Sequence, residues 1–218
     1  MDIIKRAIDI QRNLAKKVKL QWKEREINFI AGFDAAYKND KKIIGSCAIL
    51  SFPQLNLIEI KTIIKEINFP YIPSFLAFRE LPTFLELFEL LKNSPDLIIV
   101  DGNGIAHPRK AGLATHLGIL LNIPTIGCAK SPFYPVKEPP TRKGSYTFMK
   151  NEKGEIVGVA LRTKERVKPV YVSPGHLINL EKSIEFILNC SIYRIPEPLR
   201  KAHYIASKLS FEKLSDRT

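Results

Sequence analysis

Two aspartates interrupt otherwise apolar β-forming runs, and nothing else in the chain constrains its fold as tightly. Asp34 stands inside INFIAGFDAAY, and Asp101 ends DLIIVDGNG. A carboxylate in an apolar strand is unfavourable unless something positive or a hydrogen-bond donor lies beside it. Alternation places Phe29, Ala31 and Phe33 on one face of the first run, and Ile30, Gly32, Asp34 and Ala36 on the other. Asp34 is the only charge there, and its small neighbours Gly32, Ala35 and Ala36 leave room for a metal ion and a ligand. The plainer reading is a loop cap or the partner of a buried arginine. Asp101 ends a continuous apolar run and leads into Gly102, Asn103 and Gly104. That is the usual ligand edge of an α/β sheet, where glycines let backbone approach a sugar or phosphate. A simple turn aspartate is the alternative.

The surrounding patterns supply the order of elements. Ile3, Ile4, Ala7, Ile8, Ile10, Leu14 and Val18 recur helically across residues 2–25, opposite a basic face. INFIAGFDAAY and KIIGSCAIL follow as strands joined by a turn at residues 38–41, and LNLIEIKTIIKEI (55–67) completes an antiparallel meander. Proline is tolerated in a helix's first turn, so Pro82 predicts a helix over 82–92 with Glu80 just ahead of it. DLIIVD (96–101), a helix over 109–121 and IPTIGCA (123–129) form a parallel β-α-β crossover. Residues 144–172 read as further β structure, KEPPTRK (137–143) as a mobile loop, and 179–190 and 198–211 as closing helices. Three antiparallel strands followed by β-α-β is the core order of the ribonuclease H-like α/β fold. The expectation is a mixed five-stranded sheet flanked by helices, with extra β segments, in one domain spanning 1–218.

Charge narrows the partners. Thirty-four Lys and Arg against 22 Asp and Glu give +12, which suits nucleic acid or anionic lipid, or serves solubility alone. The basic cluster Arg142, Lys143, Arg162, Lys164, Arg166 and Lys168 extends that footprint. Cys47, Cys128 and Cys190 are widely spaced and form no CxxC unit. This argues against a disulfide framework or thiolate zinc site and for reduced cytosolic thiols. No run approaches the roughly 20 apolar residues of a membrane span, and the amphipathic N-terminus lacks a signal core. A cytoplasmic monomer is the expectation.

Other residues gain meaning from these two acids. Glu80, after Arg79, reads alone as half of an exposed ion pair; beside the aspartates it is a third acidic group. Asp96 reads as a loop-fixing residue and His116 as an ordinary helix residue. His107, with Pro108, Arg109 and Lys110 in the first turn of the expected helix, makes a phosphate-contacting nest. Lys130, ending GCAKSP, can contact a phosphate as a point charge or pair with a carboxylate. Tyr71 lies between Pro70 and Pro73 on a stiff tip, fit to stack or wedge between bases or else to pack back on the core.

FDAAY, PYIPSFLAFRE, DLIIVDGNGIAHPRKAGLATHLG, IPTIGCAKS, VSPGH and RIPEPLRKAH, in this order, resemble the endonuclease V family from about residue 5 to residue 206. The resemblance implies a Mg2+-dependent DNA repair endonuclease, with Mn2+ able to substitute, that cuts the second phosphodiester 3′ to deoxyinosine. It implies Asp34 and Asp101 as the principal metal ligands, Glu80 as the third acid and His203 as a metal-proximal group on the last helix. Lys130 would lie near the scissile phosphate and His107 against the DNA backbone. Tyr71, in the tip with Ile72 and Pro73, would be the wedge, and the flipped base would enter a pocket of backbone from Gly102, Gly127, Cys128 and Ala129. Two alternatives are a ribonuclease for inosine-containing RNA and a non-catalytic binding module. The latter predicts loss of a carboxylate, yet Asp34, Glu80 and Asp101 are all present.

Overall fold

Alternating isoleucine-rich runs form the three long antiparallel strands β1 (Phe29–Lys38), β2 (Lys42–Ser51) and β3 (Leu57–Glu66). The computed structural model describes residues 3–38 and 41–211, so Asn39 and Asp40 of the expected turn lie outside the described residues. The apolar run after Asp96 is β4 (Leu97–Val100), and β5 (Thr125–Ala129) follows the crossover. Both run parallel to β1. The later β segments, β6 (Tyr146–Lys150), β7 (Ile156–Leu161) and β8 (Val170–His176), extend the same sheet. The eight strands among the described residues form one mixed sheet in the order β3-β2-β1-β4-β5-β8-β7-β6. This is the expected ribonuclease H-like arrangement, with its additional strands continuing one edge.

Strand alternation divides the core between the two faces. Ala31, Phe33, Ile98 and Val100 meet Phe84, Leu87, Leu113 and Leu117 from α2 (Leu76–Glu89) and α3 (Leu113–Leu121). Ile30, Leu97, Ile99 and Ile126 meet Phe186, Ile187 and Leu199 from α4 (Leu180–Asn189) and α5 (Glu197–Phe211). Asp96 fixes a loop as expected: its Oδ2 accepts the Asn28 and Phe29 N–H groups at 2.8 and 2.9 Å.

Four expectations need correction. The helix around Pro82 begins at Leu76, so Pro82 lies inside α2, and Glu80 sits within the helix on its buried face. Burial of Ala77, Leu81, Phe84 and Leu87 along one stripe outweighs the single hydrogen bond that proline removes. The N-terminal helix, α1 (Ile3–Ala15), ends ten residues before the expected boundary. The chain then runs irregularly, pinned where Lys19 N–H donates to His176 and Lys19 O accepts Leu177 N–H, with Trp22 against Phe186. Third, helix α3 starts at Leu113 rather than 109, and Lys110 takes a left-handed φ of 51°. Finally, the loop at 137–143 is tied down. Arg162 is only 3% exposed and donates to Pro139 O, Pro140 O and Glu138, which also removes it from the basic surface.

Candidate active site

Parallel pairing of β1 with β4 sets the two aspartates side by side. Phe33 is in register with Val100, so Asp34 and Asp101 are the next residues on adjacent strands, and Asp101 N–H donates to Phe33 O at 3.0 Å. Asp34 shares the Ile30 face, which α5 covers. A Cβ on Gly32 would lie 2.2 Å from the Pro198 carbonyl carbon, so α5 crosses β1 in direct backbone contact there. Five residues along a helix advance about 7.5 Å and two along a strand about 6.8 Å. That matched advance carries His203 to Asp34, and its Nδ1 lies 2.6 Å from Asp34 Oδ2. Ligand atoms of Asp34, Asp101 and His203 all fall within 4.8 Å of one another, and no other group among the described residues does so.

Electrostatics identify what this cluster accepts. Asp34 is 5% exposed. Burial, then the neighbouring charge of Asp101, pushes its carboxyl up to about 6, against the opposing pull of Lys130 and His203. Lys130 Nζ donates to Asp101 Oδ2 at 2.5 Å, but one ammonium does not neutralise two buried-edge carboxylates. The donors are carboxylate oxygens with one imidazole, a set that suits hard divalent ions of the Mg2+ and Mn2+ type. The cluster is a divalent-metal site.

Glu80 approaches from the opposite face on α2. It is buried and accepts the Tyr37 hydroxyl at 2.6 Å, and Arg79 stacks over the Tyr37 ring. Burial raises its carboxyl to about 8, with Asp34 and Asp101 adding to the rise and the Tyr37 hydrogen bond opposing it. Glu80 is thus adjacent to the metal group rather than a member of it.

Tyr71 stands out from the surface at 73% exposure, as its flanking prolines suggest. Ile72 and Pro73 join it in lining a cavity of about 280 Å3 with Asn103, Gly112 and Phe133. Gly102 is buried beside Asp101. Gly127, Cys128 and Ala129 are buried in β5 and do not line that cavity. A Cβ on Gly127 would meet Gly104 N at 2.4 Å, so the Gly102–Gly104 backbone lies directly on β5. The expected phosphate nest is absent because the helix does not begin there. The amides at the start of α3 are taken by the chain itself, Gly112 N–H by Gly104 O and Ala114 N–H by Asn103 O. His107 is 5% exposed and turned inward. Burial lowers it to about 4, so the ring is neutral; Nε2 donates to Ser74 O at 2.9 Å and Nδ1 accepts Arg109 N–H.

Three contributors escaped sequence reasoning. Tyr37 orients Glu80. Arg194, inside RIPEPLRKAH, donates to Lys130 O at 3.1 Å and Pro169 O at 3.0 Å, fixing the backbone beneath Lys130. Asn103 has a buried Oδ1 without a hydrogen-bond partner; its place within DGNG was the available signal.

A ribonuclease H-like sheet that presents paired aspartates, a facing histidine and a flanking lysine defines a metal-dependent nuclease. The family model for Endonuclease V matches residues 12–204. Endonuclease V of Dictyoglomus turgidum is 50% identical over 206 residues, covering 93% of this chain and 89% of that protein. The crystal structure of Endonuclease V from Streptomyces avermitilis superposes with a TM-score of 0.89 at 37% identity, covering 94% of this chain and 92% of that one. Ciona intestinalis Endonuclease V, in complex with a 24mer DNA containing an inosine followed by a ribo-adenosine, gives 0.85 at 28% identity, covering 94% and 97%. The chain belongs to the endonuclease V family.

Proposed function

We propose that this protein is a DNA repair endonuclease that hydrolyses the second phosphodiester bond 3′ to deoxyinosine, leaving 3′-hydroxyl and 5′-phosphate ends. The observation that carries this reading is the placement of the Asp34–Asp101–His203 cluster next to the cavity beneath Tyr71. Asn103 and Ser131, which line that cavity, lie two residues beyond Asp101 and one beyond Lys130. The Ciona relative bound to inosine-containing DNA supports the substrate.

Asp34, Asp101 and His203 would hold the ion. The chemistry supplied by a bound Mg2+ or Mn2+ is Lewis acidity toward water and phosphate oxygens. Lys130, ion-paired to Asp101 at the cluster's edge, would swing its ammonium from Asp101 toward the scissile phosphate as negative charge develops. Arg194 keeps the lysine's backbone from retreating. Glu80 buttresses the cluster from the α2 side. Burial favours its protonated form when no cation is bound. Tyr71 enters the stack, and the extruded base occupies the cavity. Hypoxanthine carries a ring N–H where adenine has an acceptor, and Asn103, which lines the cavity, would select for it on turning its buried Oδ1 toward the base. All three cysteines are free and buried, which supports a reducing, cytoplasmic setting. No helix among the described residues is long and apolar enough to cross a membrane.

The test is cleavage with Mg2+ of matched duplexes carrying one inosine in DNA or in RNA, with Asp34→Ala as control. A nick one nucleotide beyond the lesion in DNA, lost in the variant, is expected. Preference for the RNA would move the substrate to inosine-containing RNA. Binding without cleavage would sink the nuclease reading.

A further inference from the structure

We infer that Gln11 of α1 is a positioning residue for duplex opening, because it locks the base of the Tyr71 tip to the loop that follows Asp101. The inference rests on Tyr71 acting as the wedge. Prolines at 70 and 73 stiffen the tip internally, but a stiff tip still swings about its attachment unless that attachment is fixed. The attachment is Ser74, a non-glycine residue at φ 67°, where the chain reverses into α2.

Four polar contacts converge on Ser74. Gln11 Nε2 donates to Ser74 O at 3.0 Å. His107 Nε2 donates to the same oxygen at 2.9 Å. Arg109 Nη2 donates to Ser74 Oγ at 2.7 Å and more weakly to the carbonyl at 3.3 Å. Arg109 Nε also donates to Gln11 Oε1 at 2.5 Å, so both ends of one fully buried amide are used. The Arg109 guanidinium lies over the Phe75 ring, the residue after the clamp.

Two features separate this from ordinary packing. Ala7 and Gln11 are the buried residues of α1, with Ile4, Ile8 and Leu14 half-buried, so a polar side chain takes one of the two positions the helix buries most deeply. The clamp also connects three separate segments, α1, the tip and the loop between Asp101 and α3, the last of which begins at a metal ligand. A tip held in that way keeps a fixed position relative to the cleavage centre while stacked bases push back on Tyr71.

The prediction separates two substrates. Duplex DNA has to be opened by unstacking its base steps; a single strand carrying the same deoxyinosine needs no wedge. Gln11 and Tyr71 both line the cavity that takes the base, so Gln11→Leu should lower single-turnover cleavage of both substrates, with the duplex falling about tenfold or more further than the single strand, because only the duplex transition state includes the opening work. Tyr71→Ala, run in parallel, should give the same split. Ser74→Ala removes only the hydroxyl contact and serves as the milder variant, with a smaller split in the same direction. On an Asp101→Asn background, 2-aminopurine placed beside the lesion should brighten less when Gln11→Leu binds the duplex than when the parent does. Equal losses on both substrates would show a merely structural role and overturn the inference. A split with Tyr71→Ala but none with Gln11→Leu would overturn it and leave the wedge standing. No split with Tyr71→Ala would remove the wedge reading itself.

Discussion

Burial, reinforced by Asp101, raises the Asp34 carboxyl from 3.8 to about 6, and burial lifts Glu80 from 4.5 to about 8. Both groups hold protons more tightly in the folded protein than in the unfolded chain. The stability they contribute is complete below their unfolded values and is lost as pH rises through about 6 and then about 8. The midpoint of thermal unfolding of the metal-free protein should therefore fall between about pH 4 and about pH 8 and level off above. Mg2+ replaces those protons as the compensating charge, so it should raise the midpoint more at pH 8 than at pH 5. Asp34→Asn should flatten both responses and abolish cleavage. A midpoint that climbs across that window would contradict the assignment. Lys130 carries a separate prediction. Replacing it with alanine should reduce the single-turnover rate about 10²- to 10³-fold, as loss of one preorganised charge-stabilising group does. Lys130 also lowers the Asp34 pKa, so the acid limb of the pH–rate profile should move to higher pH in the same variant. An unchanged rate would make Lys130 only the ion-pair partner of Asp101.

At the scale of elements, the contact between Gly32 and α5 decides whether His203 reaches Asp34. A methyl group at Gly32 would meet Pro198 C, Pro198 O and Leu199 N at 2.2 to 2.5 Å, all backbone atoms that cannot rotate away. Gly32→Ala should cost about 1–3 kcal/mol of stability through overpacking. It should also suppress cleavage beyond the fraction unfolded, because α5 must lift and take His203 with it. Ile187→Ala, a cavity on buried α4, should cost about 2–5 kcal/mol yet leave the activity of the folded fraction nearly intact. Equal specific activity in the two variants would show that the seating of α5 is not what positions His203. The same contact shows what is legible in a sequence. The strands, their order and the pairing of Asp34 with Asp101 follow from local periodicity and parallel register. His203 lies 169 residues from Asp34, and only the resemblance of its block drew attention to it. Pro82 misplaced a helix start because a local rule was outweighed by burial along one stripe. The His107 nest failed because its amides and ring found partners on Ser74, Gly104 and Asn103, contacts that no spacing reveals. Gln11 meets Ser74 across 63 residues and left no local trace.

For the molecule as a whole, a net charge of +12 coexists with a catalytic edge made of carboxylates. The two serve different stages. Positive charge away from the site draws the polyanion in and releases its counterions, a sequence-independent contribution that falls with salt. The acidic cluster binds the ion and acts only after docking. The apparent KM for an inosine-containing duplex should therefore rise steeply with salt while kcat changes little, each neutralised phosphate adding about 0.9 to the log–log slope. Among the basic residues singled out by sequence, Arg142 and Lys143 are exposed and Arg162 is buried under Pro139 and Pro140. Replacing Arg142 and Lys143 with glutamine should lower the slope by about 2 if both meet phosphate, with the rate at saturation preserved. Arg162→Gln should instead loosen the 137–143 loop and lower the unfolding midpoint, leaving the slope as it was. If the slope followed Arg162 and ignored the exposed pair, the nucleic acid would run along a different face from the one the basic cluster marks.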